Sequence, residues 1–317
     1  MQPRRIFNKS NVVYERLGAY FSNRESLLFL REKIESQYNI EFGASFKGSA
    51  KNIPCFPNQS YLSVAGRNAA SPEIIRHIVS YVRNKIVHID SFEKRMFMLD
   101  KSHERAWNLV SHIDVGINSA RLEENNVSEE YLHFPADLPS KIKESFLNNL
   151  RRSIVLNHND SLGKNVDIDF EEESDGTKKM IRLLPKVTDA LVSGGVIIID
   201  ELDNSMHPFM AEMIVKLFND SDLNQGQAQI IFTTHNANLL SQDLMRRDQI
   251  WFAEKTNGRS RYYSLDCFDK KEVTPHSPYI RWYLEGRFGA IPSINYEAIV
   301  KRLVEWRKEG GTDAQKE

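Results

Sequence analysis

An α/β fold with a largely parallel sheet is what this 317-residue sequence predicts. Three observations carry that expectation. Val196, Ile197, Ile198 and Ile199 form an unbroken β-branched run, the pattern of a strand buried on both faces. Strand-like and helix-like stretches alternate through the second half, as crossover units that build parallel sheets do. Hydrophobic residues make up 41% of the chain, with 17 Phe, 11 Tyr and 4 Trp, enough to fill a core and to exclude wholesale disorder. Lys plus Arg is 42 against 43 Asp plus Glu, so overall charge steers the chain towards neither nucleic acid nor a membrane surface.

Taken in order, residues 5–14 carry β-branched and aromatic residues around Asn8-Lys9-Ser10-Asn11, which predicts a hairpin. Residues 24–35 place Leu27, Leu28, Leu30 and Ile34 on one side of a helix. Residues 61–65 read as a short strand. Pro72 opens a helix bearing Ile74, Ile75, Ile78, Val79 and Val82, with Ser71 as its N-cap. A strand follows at 86–89, and the polar stretch 114–140, of weak periodicity, reads as a connector or insertion. The second half is more regular. Strands are expected at 153–156 and 166–170, a helix at 177–191, and the buried strand at 196–199. A helix at 208–218 and another buried strand at 229–233 come next. Residues 250–254 and 261–265 pair around Asn257-Gly258, a strong hairpin signal. Helices at 279–285 and 296–306 close the chain, and a frayed tail is expected after Glu309.

The strongest chemical signal is Gly195-Val196-Ile197-Ile198-Ile199-Asp200-Glu201, a buried apolar strand ending in two carboxylates. Open α/β sheets bind ligands at the C-terminal edge of their strands. Mg²⁺ is a hard ion that accepts carboxylate oxygens, often through water, beside substrate phosphates. Asp200 is therefore the candidate metal residue, and Glu201 the candidate to orient or deprotonate a water that attacks a γ-phosphate. An Asp-Glu pair can also simply cap the next helix. Against that, the second apolar run, 229–233, leads into Thr234-His235 and brings another polar group to the same rim. His235 could hydrogen-bond a γ-phosphate oxygen; the plain alternative is a structural histidine. The third signal, Glu173-Ser174-Asp175-Gly176-Thr177-Lys178-Lys179, opens a helix with two hydroxyls and a glycine. A helix start is an anion site in outline, and Ser-x-x-Thr is equally an ordinary N-cap.

The order of these three segments resembles that of an ABC-type ATPase head, in which they are the signature motif, Walker B with its D-loop, and the H-loop. Ser174-Asp175-Gly176-Thr177, Ile197-Ile198-Ile199-Asp200-Glu201-Leu202-Asp203 and Phe232-Thr233-Thr234-His235-Asn236 carry the likeness. The variant resembles the AAA-family ATP-binding proteins of the RloA-like and OLD-like group, related to the heads of SMC proteins. Met206-His207-Pro208 is similar to the Leu-His-Pro of those heads, and residues 283–292 resemble the group's C-terminal segment. The signature departs from the common Leu-Ser-Gly-Gly-Gln, since Asp175 stands where its first Gly would. The resemblance implies a P-loop-NTPase-like, largely parallel sheet with a helical lobe. Residues 151–317 would be the C-terminal half of the head, and 1–150 an additional mixed α/β region with a helical insertion. It also implies ATP and Mg²⁺ as cofactors. Asp200 would serve the metal, Glu201 and His235 catalysis, and Ser174, Gly176, Thr177 and Asp203 the nucleotide. Two heads would close head-to-tail around ATP, with Ser174 reaching the partner's γ-phosphate. Such a head switches an effector protein, and the family resemblance points to anti-phage defence.

One part of that machinery is missing. No Gly-x-x-x-x-Gly-Lys-Ser/Thr occurs in the sequence. Gly163-Lys164 is followed by Asn165, and Gly43-Ala44-Ser45-Phe46-Lys47-Gly48-Ser49 has its lysine misplaced, so it reads as a flexible loop. By resemblance the P-loop belongs upstream of Met1. That makes a shortened gene product, a fragment or one half of a split ATPase the expected forms, with an uncovered edge on the sheet. The expected partner is a second copy or a P-loop-bearing segment; the alternatives are a non-hydrolysing regulatory subunit and a truncated remnant. Asp167, Asp169, Glu171, Glu172 and Glu173 read as a solvent face rather than a metal patch. Arg151-Arg152, Arg246-Arg247 and Lys270-Lys271 are scattered pairs that give nucleic-acid binding no support. The segment after His235 is short and has no Asp-x-Asp, so an attached nuclease is not expected. Two cysteines, Cys55 and Cys267, the lack of a long apolar run and the lack of a signal-peptide pattern behind Met1 make the cytoplasm the expected compartment, without membrane association.

Overall fold

The computed structural model describes residues 2–8, 11–20, 23–47, 53–89, 100–113, 116–124, 139–140, 143–144, 146–147, 151–256 and 258–313. Packing divides the chain into two units. The first is Met1–Met206 with Asp220–Thr233, and the second is His207–Asn219 with Thr234–Glu317. This partition follows a different line from the division at residue 150.

The first unit begins with a four-stranded antiparallel sheet, β1 (Gln2–Asn8), β2 (Asn11–Tyr20), β3 (Glu25–Ile34) and β4 (Gln37–Phe42), in sequential order. The predicted hairpin is β1–β2; its central Lys9 and Ser10 lie outside the described residues. The helix expected at 24–35 is instead β3. The reason is local: pairing shifts between Leu17 and Gly18, which face Phe29 and Leu27, so Leu28 is an extra residue. Such a bulge buries two consecutive residues, Leu28 and Phe29, and breaks the alternation that marks a strand.

Helix α1 (Tyr61–Ala65) and helix α2 (Glu73–Lys85) follow this sheet. Residues 61–65 are thus helical rather than a strand. Ser60 caps them by accepting from the Ser63 N–H, and the Glu15 carboxylate accepts from the N–H groups of Tyr61 (2.7 Å) and Leu62 (3.3 Å). Tyr61, Leu62 and Ala65 pack with Leu17, Leu28 and Phe29. Glu15 and Arg31 stand directly opposite on β2 and β3 and are 2% and 1% exposed. The Arg31 guanidinium donates to the carbonyls of Gln59 (2.6 Å) and Phe56 (3.1 Å) and lies over the Tyr38 ring. A buried cation needs such partners, and here they fasten the loop before α1 to the sheet. The N-cap of α2 is Pro72, with no side-chain capping bond, in place of the expected Ser71.

Strand β5 (Ile86–Ile89) runs beside β9 (Val196–Ile199), and β9 beside β10 (Gln229–Phe232), all parallel, in the order β10-β9-β5. This is the one parallel sheet among the described strands, and it is small. Ile197 and Ile199 are fully buried, as the β-branched run requires. β10 was expected to be buried, yet it forms an edge, and Ile231 is 55% exposed. The largely parallel sheet is corrected accordingly, because most strands pair with a sequence neighbour through a short turn, which favours antiparallel ladders. Part of the supposed connector 114–140 is strand β6 (Ile117–Glu124), while 114–115 and 125–138 lie outside the described residues. β6 pairs with β7 (Arg152–Asn159), and β7 with β8 (Asn165–Asp169), all antiparallel. Trp107, on the short helix α3 (Glu104–Trp107), is fully buried.

Helix α4 (Asp175–Ser193) buries Met180, Ile181, Leu184, Val187 and Leu191 along one stripe. Its end is set by Gly194, whose left-handed φ of 68° L-residues rarely take, and where a Cβ would collide with the Gly226 carbonyl oxygen.

The second unit contains helix α5 (Pro208–Asn219), the hairpin β11 (Trp251–Thr256) and β12 (Arg259–Ser264), helix α6 (Tyr279–Leu284) and helix α7 (Tyr296–Asp313). The hairpin forms as expected, with Asn257 outside the described residues. Helix α7 continues to Asp313 where fraying was expected. Ile250, Phe252, Leu265, Val273, Tyr279 and Phe288 form this unit's core. Arg247, from one of the basic pairs, is committed to that frame: its guanidinium donates to the carbonyls of Leu265 (3.1 Å), Phe268 (2.9 Å) and Val273. No helix among the described residues is long and apolar enough to cross a membrane.

Candidate functional site

The candidate site forms where β9 and β10 end. Both strands run the same way, so Asp200 and Thr233, the residues after Ile199 and Phe232, emerge side by side. The Thr233 hydroxyl donates to Asp200 Oδ1 (2.5 Å) and accepts the Glu201 N–H (2.8 Å). The Leu202 N–H goes to the Thr233 carbonyl (2.9 Å), and the Asp200 N–H to the Ile89 carbonyl of β5 (3.1 Å). All three parallel strands thus fix the backbone around the two carboxylates. Asp200 is exposed and Glu201 half-buried.

After Asp200 the chain turns sharply. Glu201 and Ser205 take positive φ values of 50° and 59°. For a non-glycine residue that conformation costs of order 1–3 kcal/mol, so surrounding contacts must hold it. The holders are visible. The Asn204 N–H donates to the Glu201 carbonyl (3.0 Å), and the Asn204 amide donates to Glu201 Oε2 (3.2 Å). Lys179 Nζ donates to the carbonyls of Glu201 (2.8 Å) and Asn204 (2.9 Å). Burial lowers the Lys179 pKa, while the charges of Asp203 and Glu201 act in the opposite sense.

The start of α4 lies against the same turn. A Cβ on Gly176 would stand 2.8 Å from the Ser205 carbonyl oxygen, so only glycine allows this approach. Ser174 is the N-cap of α4: its hydroxyl accepts the Thr177 N–H (3.1 Å) and lies 2.9 Å from the Thr177 hydroxyl. Thr177 is buried. The structure therefore brings Ser174, Gly176, Thr177, Asp200, Glu201 and Asp203 into one neighbourhood of the first unit. His235 is exposed and belongs to the second unit, which the chain enters immediately after Thr233.

Two contributors escaped the sequence reading. Thr233 carries no motif signal beside Thr234 and His235, although its register next to Asp200 follows once β10 is aligned with β9. Lys179 sits three residues after Gly176, on the same helix face, and that spacing was the available signal. Three of the acidic residues before α4 are engaged locally. Asp167 accepts from Arg121 (2.7 Å) and Asn157 (2.8 Å), Asp169 caps the Glu171 N–H (2.9 Å), and Glu173 meets His158 Nε2 at 2.6 Å.

The donor set suits a hard, mostly hydrated ion. It comprises one exposed carboxylate, a hydroxyl already bonded to it, and a second carboxylate close by. No group of three or more His, Cys, Asp or Glu able to cage a metal exists among the described residues. Mg²⁺ fits that arrangement, because it keeps several waters and leans on substrate phosphates.

Carboxylates at the end of the middle strand of a parallel sheet stand where open α/β sheets bind ligands, and a family match makes this an AAA-type, P-loop ATPase-like domain. The chain belongs to the AbiEii toxin-like AAA domain family, described with type IV TA systems, whose model matches residues 80–241, just over half its length. That membership supports a nucleotide-binding, ATPase-type domain. No curated protein matches the chain.

Proposed function

We propose that this chain is the signature-and-Walker-B part of an ATP-hydrolysing head of the RloA-like and OLD-like kind. It acts as a nucleotide-driven switch in cytoplasmic anti-phage defence, and its phosphate grip is supplied by a P-loop-bearing segment. The observation that carries this reading is the junction of Asp200, Glu201 and Thr233 at the ends of β9 and β10. When bound, Mg²⁺ would neutralise the phosphate charge of the nucleotide. Asp200 holds the metal's water shell, and the Thr233 hydroxyl fixes the rotamer of that carboxylate. Glu201 accepts a proton from the water as its oxygen bonds to the γ-phosphorus, and the bond to the β,γ-bridging oxygen breaks with ADP leaving. The Asn204 amide is a donor that orients the carboxylate without protonating it, so the base stays available. Ser174, with Gly176 and Thr177 behind it, presents the start of α4 to the nucleotide of a second head. Asp203 shapes the turn between them. His235 donates to a γ-phosphate oxygen and reports its presence.

The test is phosphate release with the P-loop segment supplied, fused or in trans. Glu201→Gln should lower Mg²⁺-dependent release at least a hundredfold while ATP still binds and holds a dimer seen by light scattering. Unchanged release by that variant would sink the assignment. The absence of a Gly-x-x-x-x-Gly-Lys-Ser/Thr motif from the 317 residues favours a second reading, a non-hydrolysing regulatory subunit. ATP binding by the complemented species without any turnover would select it.

A further inference from the structure

We infer that Lys179 is a positioning residue for Glu201, clamping the turn that carries this carboxylate to the first turns of α4. Its catalytic meaning rests on the hydrolytic reading above; the clamp itself does not. The ammonium of Lys179 spans two carbonyls of one tight turn, those of Glu201 and Asn204. The Glu201 carbonyl also receives the Asn204 N–H, so two donors converge on the residue that holds a φ of 50°. Three residues earlier, Gly176 lies against the Ser205 carbonyl, at the far end of the same turn. Residues 176 and 179 share a helix face, so α4 grips both ends of the turn at once.

The consequence is mechanical. Ser174 caps the same helix through the Thr177 N–H. A displacement of the capped end of α4 therefore passes through Lys179 to the Glu201 carbonyl, while Thr233 holds both the Asp200 carboxylate and the Glu201 N–H to the strand end. Asp200 is anchored to the strand ends, whereas Glu201 is anchored to the strand end through its N–H and to the helix through its carbonyl. Contact made at Ser174 thus has a path to the base through Lys179. Lysine suits this task because a single ammonium offers three donors that rotate together on a flexible stem.

Hydrogen exchange on the intact chain tests the clamp directly. In Lys179→Met the amides of residues 202–206 should exchange at least tenfold faster, with those of β6, β7 and β8 unchanged. Lys179→Arg, which can still donate to both carbonyls, should restore most of the protection; Lys179→Gln serves if the methionine variant does not fold. Exchange of the turn that is unchanged, or raised equally throughout the unit, overturns the clamp. With the P-loop segment supplied, Lys179→Met should lower kcat tenfold or more while KM for ATP stays within about twofold, and Lys179→Arg should recover kcat. A loosened turn with normal kcat overturns the positioning role. If Glu201→Gln is itself without effect on release, the hydrolytic reading fails, and the exchange result still decides the clamp.

Discussion

Replacing Thr233 by valine keeps the shape of the side chain and removes its hydroxyl, which joins the strand ends at the candidate site. Two bonds go: the donation to Asp200 Oδ1 at 2.5 Å and the acceptance of the Glu201 N–H at 2.8 Å. A hydrogen bond to a charged group contributes about 1.5–3 kcal/mol. Asp200 and Thr233 are both exposed, so water replaces much of what is lost, and about 1 kcal/mol of destabilisation is expected. A double-mutant cycle isolates the pair: Thr233→Val, Asp200→Ala and the combination should give a coupling of about 1 kcal/mol. Urea unfolding followed by fluorescence is the assay. Trp107 is fully buried in the first unit and reports on it once Trp251, Trp282 and Trp306 are replaced by Phe. A coupling below about 0.3 kcal/mol would show that the two side chains do not act together, and the reasoning for a constructed rotamer at Asp200 would fail.

Two further expectations concern the first unit. Glu15→Ala strips the α1 N–H groups of Tyr61 and Leu62 of their acceptor and leaves Arg31 buried opposite, which should cost about 3 kcal/mol, with a smaller loss for Glu15→Gln; thermal unfolding measures both. Hydrogen bonds from Arg121 and then Asn157 hold the Asp167 carboxyl at about 2, below its unfolded value, so its contribution is present at neutral pH and is lost as pH falls from the ordinary aspartate range through about 2. An NMR titration of that carboxyl should show the low midpoint and its return upward in Arg121→Gln; a midpoint unmoved by the substitution contradicts the stated cause.

What could be read in the sequence divides along a physical line. Val196 to Ile199 announced a buried strand because four β-branched residues in a row leave few other outcomes, and Gly195 with Asp200 bounded it. The hairpin around Asn257-Gly258 was legible for the same local reason. Segment 24–35 was misread because its bulge depends on Gly18, a residue of the neighbouring strand. Segment 61–65 was misread because its helix start is satisfied by Glu15, far away in the chain. At the site, the carboxylates are visible as a motif at the end of an apolar run. Their supports are not, since Thr233 and Lys179 acquire meaning only when register and helix face place them beside Asp200 and Glu201.

The path of the chain carries a consequence for how the molecule is made. It leaves the first unit after Met206, returns at Asp220 and leaves again after Thr233. During synthesis β5 is present early, yet it must wait for β9, more than a hundred residues later, and β9 must then wait for β10. Neither unit is a continuous segment, so no single truncation yields either one whole. A chain that stops before residue 229 has a parallel sheet without its last strand, with the Asp200 carboxylate made and the Thr233 hydroxyl that should hold it still absent.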